Sequence, residues 1–488
     1  MPNKQRRSNL IYEYFILRFW FQYYKYGDTL PSIDSLCREF SVSSLTVKEA
    51  FSRMRAEGYI STQQRRSTVV TFKKTDAELK AYAADYFSKR KTTFPDLYQS
   101  TEMIFIPLLI EGFLRMDEKD FDCVYRWAER SGPDDLTRIY CFVLQKMDNP
   151  LIMNLFWETS LYLGLPYLSE KDSAGPCSTD MMRKRIETVI RCGQMKNPRR
   201  ILEAHLTFQK DVSKKLTQYM GRQTATAAQQ ETVPFTWRIY RDRPQICHTL
   251  AVHILHEIYS GQYRNADFLP SYTQLAKQYG VSVSTIRRTV SLLSQIGAVR
   301  TINGKGIRIF SLNERSGKPD FSQSAIRRNM ALFIQSYEII TYTCRAIVRT
   351  VLPLLSDSQL EALLLQLETN LSTGNSVHSP GSILTRIIEH APLQGIKEIY
   401  GKLYGLLFWG YPVSRYERSA RLDLQMSAFT KASVDALRAK DFDQCARLLS
   451  GLLSREFKEA EAYLLKNGFQ PDETRLSPSV RLLSTEPE

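Results

Sequence analysis

The chain opens on an apolar, aromatic run, Leu10–Tyr26, interrupted by Glu13, Arg18 and Lys25. A membrane span needs about 20 apolar residues in succession, so this run predicts a helix packed into a core. No signal peptide is expected. Further on, Ser32–Phe40 predicts a short helix after Pro31, Ser41–Ser43 a turn, and Ser44–Glu57 a second helix closed by Gly58. On that second helix Val47, Ala50, Phe51 and Met54 fall at i, i+3, i+4 and i+7, one buried stripe. Ser44, Leu45, Lys48, Ser52 and Arg55 are left facing outward. Tyr59-Ile60, a polar turn Ser61–Ser67 and a β-type run Thr68–Phe72 then predict a two-stranded wing. The segments Lys74–Tyr219 and Asn313–Gly468 instead repeat apolar residues at three- and four-residue steps, as in Leu360, Leu363, Leu364 and Leu367. Neither alternates as a sheet domain would, so the fold class expected is mostly α.

The same pattern is written twice. Leu30-Pro31-Ser32 recurs as Leu269-Pro270-Ser271, and at that spacing of 239 Val42-Ser43 falls on Val281-Ser282, Val47 on Ile286 and Gly58 on Gly297. Met116-Asp117 falls on Ser356-Asp357 at 240, Pro150-Leu151 on Pro392-Leu393 at 242, and Arg200-Ile201-Leu202 on Arg447-Leu448-Leu449 at 247. Ordered matches with a slowly drifting spacing imply an internal duplication of a helix-turn-helix with wing followed by an all-helical domain. The boundaries expected are 1–74 and 247–312 for the winged domains, 75–220 and 313–488 for the helical ones, and 221–246 for a linker. Gly221–Pro234, rich in Thr, Ala and Gln, suits an exposed connector.

Charge sharpens this picture. The net charge is +15, and residues 1–74 carry +7 of it and 247–312 another +5. A basic excess concentrated in the two winged segments favours a polyanionic partner there. Eight cysteines without C-x-x-C spacing suit free thiols in a reducing compartment, and a cytoplasmic protein is expected.

A recognition helix of this kind fits the major groove of double-stranded DNA and offers its N-terminal residues to base edges and phosphates. The candidates in the first copy are Ser32, Ser43, Ser44, Thr46 and Lys48, with Arg65 and Arg66 at the wing tip. In the second copy they are Ser271, Ser282, Ser284, Thr285, Arg287 and Arg288, with Lys305 in the hairpin turn Asn303-Gly304-Lys305-Gly306. Its inward stripe is Ile286, Thr289, Val290 and Leu293.

The string L-P-S, then V-S-x-x-T-V-[KR]-x-A with a closing Gly, and a wing of G-K-G type resemble the DNA-binding domain of GntR-type (gluconate-repressor-like) bacterial regulators, over residues ~10–72 and ~247–311. The resemblance implies that the family's recognition-helix Arg corresponds to Lys48 and Arg287. An Arg usual after the P-S pair is Asp34 and Thr273 here, another after the V-S turn is Ser44 and Val283, and a wing Gly is Ser67 in the first copy. The helical segments resemble, more weakly, the effector domains of the fatty-acid-responsive subgroup, through Asn149–Leu151 and the helix holding Ala204-His205-Leu206. That resemblance implies a metal held by an Asp and three His. The chain has six His, only His205 falls in the first helical segment, and its counterpart at spacing 247 is Leu452. His253 and His256 stand at i, i+3 but lie in the second winged segment. No metal and no cofactor are expected. The aromatic pairs Phe156-Trp157 and Phe408-Trp409 suit core positions, with a ligand pocket as the alternative.

Three functions fit this sequence unequally. A transcription regulator with two readers in one chain would bind a two-half-site operator as a monomeric pseudo-dimer or as a homodimer. A small-molecule effector would act through the helical domains. An enzyme fused to a reader is disfavoured, because no phosphate-cradling Gly loop, nucleophile elbow or ligand cluster is present. An assembly protein using winged helices for protein contacts stays open.

Overall fold

The computed structural model describes residues 7–40, 42–62, 67–130, 133–164, 179–224, 231–239, 246–260, 262–263, 266–310, 321, 323–410, 420–470 and 473. The protein is mostly helical and divides into two compact units whose main boundary falls between Arg243 and Pro244.

The first unit begins with α1 (Arg7–Trp20), α2 (Ile33–Phe40), α3 (Ser44–Ala56), β1 (Ile60–Thr62) and β2 (Thr68–Val70). The aromatic run becomes α1, which buries Leu10, Ile11, Phe15 and Phe19. Phe15 meets Phe51 of α3 edge-on at 6.0 Å. Arg18, a charge inside this apolar run, is only 2% exposed. Its guanidinium lies over the rings of Tyr14 (4.2 Å) and Tyr23 (4.0 Å), so aromatic faces replace part of its hydration. The expected stripe Val47, Ala50, Phe51 and Met54 is the buried face of α3. β1 and β2 pair antiparallel as Ile60↔Val70, Ser61↔Val69 and Thr62↔Thr68.

Seven helices follow: α4 (Asp76–Ser88), α5 (Thr93–Arg115), α6 (Glu118–Arg130), α7 (Pro133–Gln145), α8 (Pro150–Leu163), α9 (Thr179–Gln194) and α10 (Pro198–Thr224). α5 is the central one, burying Phe94, Ile104, Leu108 and Phe113 among others. Gly112 lets α7 come close, because a Cβ there would lie 2.3 Å from the Val143 carbonyl oxygen. The stretch read as a connector is helical as far as Thr224. Its continuation packs on this unit: Trp237 is 1% exposed and its indole N–H donates to Asn154 Oδ1 at 2.7 Å. Arg238 lies between Glu13 of α1 (3.4 Å) and the buried Glu158 of α8 (3.5 Å).

The second unit repeats the order: α11 (Ile246–Ser260), β3 (Phe268–Leu269), α12 (Tyr272–Gln278), α13 (Val283–Gln295), β4 (Val299–Ile302) and β5 (Gly306–Ile309). Then come α14 (Ser324–Val351), α15 (Asp357–Ser372), α16 (Ser379–His390), α17 (Gln394–Leu407), α18 (Ala420–Arg438) and α19 (Phe442–Lys466). The wing here has three strands in the order β3-β5-β4, not the two expected. β3 is two residues long, too short to show any alternation. In the first unit a single bridge, Thr29↔Val69, stands in its place.

Helix caps fix the register of the duplication. Ser43 and Ser282 cap α3 and α13 at a spacing of 239. Asp117 Oδ1 accepts from the Asp120 amide and Ser356 Oγ from the Gln359 amide, again 239 rather than the 240 read from neighbouring residues. Asn197 and Asp441 cap α10 and α19, each preceded by a lysine at positive φ, Lys196 (51°) and Lys440 (53°). That spacing is 244 and corrects the 247 taken from Arg200-Ile201-Leu202. Burial agrees: Ile201, His205, Phe208 and Met220 match Cys445, Leu449, Leu452 and Leu464. The counterpart of His205 is therefore Leu449, not Leu452.

Candidate nucleic-acid interface

Both recognition helices are built alike. Ser43 has extended backbone (φ −69°, ψ 153°) and its side chain accepts from the Thr46 amide at 3.4 Å. Ser282 repeats this (φ −71°, ψ 152°), accepting from the Thr285 amide at 3.2 Å. One orphan amide of each first turn is thereby satisfied, which fixes where the helix starts. The remaining first-turn amides point outward with the positive end of the helix dipole, a setting that favours an anion.

The hydroxyls expected to face DNA are partly committed within the protein. Ser43 Oγ lies 3.0 Å from Thr46 Oγ1, while Ser282 Oγ lies 2.8 Å from Ser284 Oγ and 2.9 Å from Thr285 Oγ1. Ser32 accepts from the Ser35 amide at 3.1 Å. Ser271 forms a capping box with Gln274 at the start of α12. Ser43 Oγ keeps capacity for one further bond, whereas its three partners fill that of Ser282 Oγ, and the first task of each is to hold a helix end. The S-x-x-Q spacing at 271–274 is the sequence signal for this role.

Lys48 and Arg287 are different. They occupy the fifth positions of α3 and α13 and are exposed. Neither makes a side-chain hydrogen bond or ion pair among the described residues. Ser44, Ser284 and Arg288 are also exposed, and Thr46 and Thr285 half-buried. Arg65 and Arg66 lie outside the described residues.

The second wing adds groups that sequence reasoning missed. Lys305 is exposed at its tip, between Gly304 (φ 72°) and Gly306 (φ 113°). Both glycines adopt backbone that other residues rarely take. Behind the tip, Arg300 of β4 stands directly opposite Arg308 of β5. Both are exposed, and their guanidinium carbons lie 5.8 and 5.4 Å from the Phe310 ring centre. Like charges opposed across a ladder destabilise it unless an anion lies between or beside them. The equivalent first-copy pair is Ser61↔Val69. Only the pairing register brings Arg300 and Arg308 together, so spacing alone did not single them out.

In the first copy basic residues of α3 make surface bonds within the domain. Arg53 of α3 lies 3.6 Å over the Tyr12 ring, bonds Glu57 at 2.9 Å and reaches Asn9 at 3.4 Å. Tyr12 also donates to Glu57. Burial alone would raise the Glu57 carboxyl, but the bonds from Tyr12 and Arg53 hold it below the usual range. Arg55 bonds Thr62 at 3.3 Å.

Among the described residues no three His, Cys, Asp or Glu side chains come together. His205 is fully buried with its ring 6.2 Å from Phe113 and 5.9 Å from Tyr140. His253 pairs with Glu257 at 3.2 Å, while His256 lies 5.1 Å from the Phe408 ring. Trp157 and Trp409 are buried. No described cysteine is in a disulfide. No described helix is long and apolar enough to cross a membrane.

The model of the family "Bacterial regulatory proteins, gntR family" matches twice, at residues 11–70 and 248–309. The HTH-type transcriptional regulator TreR of Bacillus subtilis (strain 168) is 36% identical over 58 residues, which are 12% of this chain. The matched part is 24% of that regulator's length. Among solved structures, Streptococcus agalactiae GntR is 19% identical, with 44% of this chain and 99% of that one covered and a TM-score of 0.21. E. coli McbR/YncC is 16% identical, with 45% and 98% covered and a TM-score of 0.23. The chain thus carries, in tandem, two winged helix-turn-helix domains that match the model of the gntR family of bacterial regulatory proteins.

Proposed function

We propose that the protein is a cytoplasmic DNA-binding transcription regulator, not an enzyme, in which both readers of one chain engage a single operator with two unequal half-sites. The observation that carries this reading is the pair of capped recognition helices, each displaying at its fifth position an exposed cation, Lys48 or Arg287, with no side-chain hydrogen bond or ion pair among the described residues. In this reading Ser44, Thr46 and Lys48 of one copy, and Ser284, Thr285, Arg287 and Arg288 of the other, approach the major groove. Arg65, Arg66 and Lys305 lie along the adjacent backbone. Ser32, Ser43, Ser271 and Ser282 aim helix amides at phosphates while capping. Unequal half-sites follow from unequal helices, Ser44-Leu45-Thr46-Val47-Lys48 against Val283-Ser284-Thr285-Ile286-Arg287. The helical domains, 75–220 and 313–488, serve as the ligand-responsive part, and 221–246 joins the halves.

A gel-shift titration of the full chain on genomic fragments tests this. A sequence-selective complex that weakens steeply between about 50 and 200 mM salt is expected, since each neutralised phosphate releases counterions. Complete indifference to sequence and salt would instead favour winged helices used for protein contact.

A further inference from the structure

The second unit holds a cavity of about 190 Å³. It lies where the last turn of α11 meets the helical bundle. Tyr259 of α11, Tyr337 of α14, Tyr404 of α17 and Phe408 form aromatic walls, and Glu456 and Glu459 of α19 supply two carboxyl groups. Tyr259 and Tyr404 come within 5.6 and 5.1 Å of Phe408, ring centre to ring centre. Among the described residues no Lys, Arg or His lines it.

The carboxyl of Glu456 is the unusual group. Tyr337 donates to it, and burial pushes its pKa up to about 7 against that bond, with Glu459 adding to the rise. A carboxyl–phenol pair in an apolar setting contributes little to stability that apolar side chains of similar size would not. Its chemistry suits a cation instead: a carboxylate for the charge and three phenol rings for its flanks. The first unit differs at this place. At the spacing fixed by the caps, Glu456 and Glu459 correspond to Val212 and Lys215. Tyr162 of α8, the helix that corresponds to α17, gives its hydroxyl to the Val233 carbonyl and packs its ring 5.4 Å from Phe235. One copy covers the position with its own chain, and the other leaves a cavity and adds negative charge.

From this juxtaposition we infer that the cavity is a binding site for a small organic ammonium ion. A cavity of about 150 Å³ lined by apolar side chains holds benzene, so the apolar part of the ligand is of that size or slightly larger. Its ammonium group lies between the Glu456 and Glu459 carboxylates, and its body lies against Tyr259, Tyr404 and Phe408. An occupant touches Tyr259 and therefore the helix on which the second reader is built. The site itself does not depend on DNA binding.

Isothermal titration of the full chain, without DNA, uses benzylammonium and cyclohexylammonium as probes, with benzyl alcohol and benzoate as shape-matched controls. Saturable 1:1 binding of at least one ammonium is expected, tenfold or more tighter than benzyl alcohol, with benzoate weakest. Glu456→Gln should reduce the ammonium affinity to that of the alcohol. Glu459→Gln, at an exposed position that cannot unfold the bundle, should weaken it several-fold. Equal affinity for ammonium and alcohol, no binding by either ammonium, or unchanged affinity in Glu459→Gln overturns the inference. The last arm stands even if Glu456→Gln fails to fold. Failure here leaves the DNA reading intact, and absence of DNA binding leaves this site intact.

Discussion

The two halves share a frame and differ in where they put their charge. In the first, Arg53 and Arg55 are drawn into bonds with Glu57, Asn9 and Thr62, and the wing strands carry Ser61 and Val69. In the second, the corresponding wing positions are Arg300 and Arg308, the hairpin tip offers Lys305, and α13 offers Arg287. The helical domains follow suit, with Trp237 and its neighbours packed on the first and a carboxyl-lined cavity in the second. After duplication, the backbone needs only its stripe, caps and turn glycines. Outward side chains are free to diverge, so one half bonds Arg53 and Arg55 at its surface where the other places an arginine pair on its wing strands.

The largest expected effect breaks the first half alone. Trp237→Ala removes a buried indole and leaves Asn154 Oδ1 without its donor, at a cost of about 3–5 kcal/mol. Calorimetry of the full chain should show one transition moving down in temperature and the second staying in place. A uniform shift would mean that the halves do not melt separately. His205 distinguishes them by pH. Burial pushes its pKa down to about 4, so it stays neutral in the folded first half, whereas the unfolded chain takes up a proton near 6.5. Stability from this group is therefore complete above pH 6.5 and lost as pH falls from there to about 4, about 3 kcal/mol over that window. His205→Leu, matching Leu449 of the second half, should abolish that loss in acid melts. An unchanged pH profile would show that another group controls it.

Smaller effects sharpen the contrast between readers. Arg287→Ala should weaken DNA binding by about 1–3 kcal/mol, roughly 5- to 150-fold, and Lys48→Ala by only about a few-fold. Equal losses would make the readers equivalent. Arg300→Ala and Arg308→Ala should each lower the slope of log affinity against log salt by about 1 if each arginine meets a phosphate. Smallest of all, Ser43→Ala and Ser282→Ala should each cost about 1 kcal/mol of stability through the lost caps, measured by denaturant melts.

Much of this was legible in the sequence because it follows from periodicity. Val47, Ala50, Phe51 and Met54 at helical spacing name the buried face of α3, and Asn303-Gly304 names the hairpin. Other features need pairing or long-range packing. Phe268-Leu269 becomes a strand only because β5 pairs with it, and Arg300 faces Arg308 only through the register of β4 and β5. Trp237 sits in a stretch without periodicity, and its burial depends on Asn154, more than eighty residues earlier. The similarity of Arg200-Ile201-Leu202 to Arg447-Leu448-Leu449 misled because three residues of helix surface carry less register information than a cap and a positive-φ lysine. The serines were read as DNA donors before their capping role was visible, since one residue type suits both tasks.

The central claim is that one chain uses two unequal readers on one operator. Footprinting of wild type, Lys48→Ala and Arg287→Ala on a fragment selected by the full chain tests it most directly. The account predicts one protected region with two half-sites about one helical turn apart. Lys48→Ala should lose protection over one half-site only, and Arg287→Ala should lose most of the complex. Protection of a single half-site by the wild type, or identical footprints from the two variants, would contradict it.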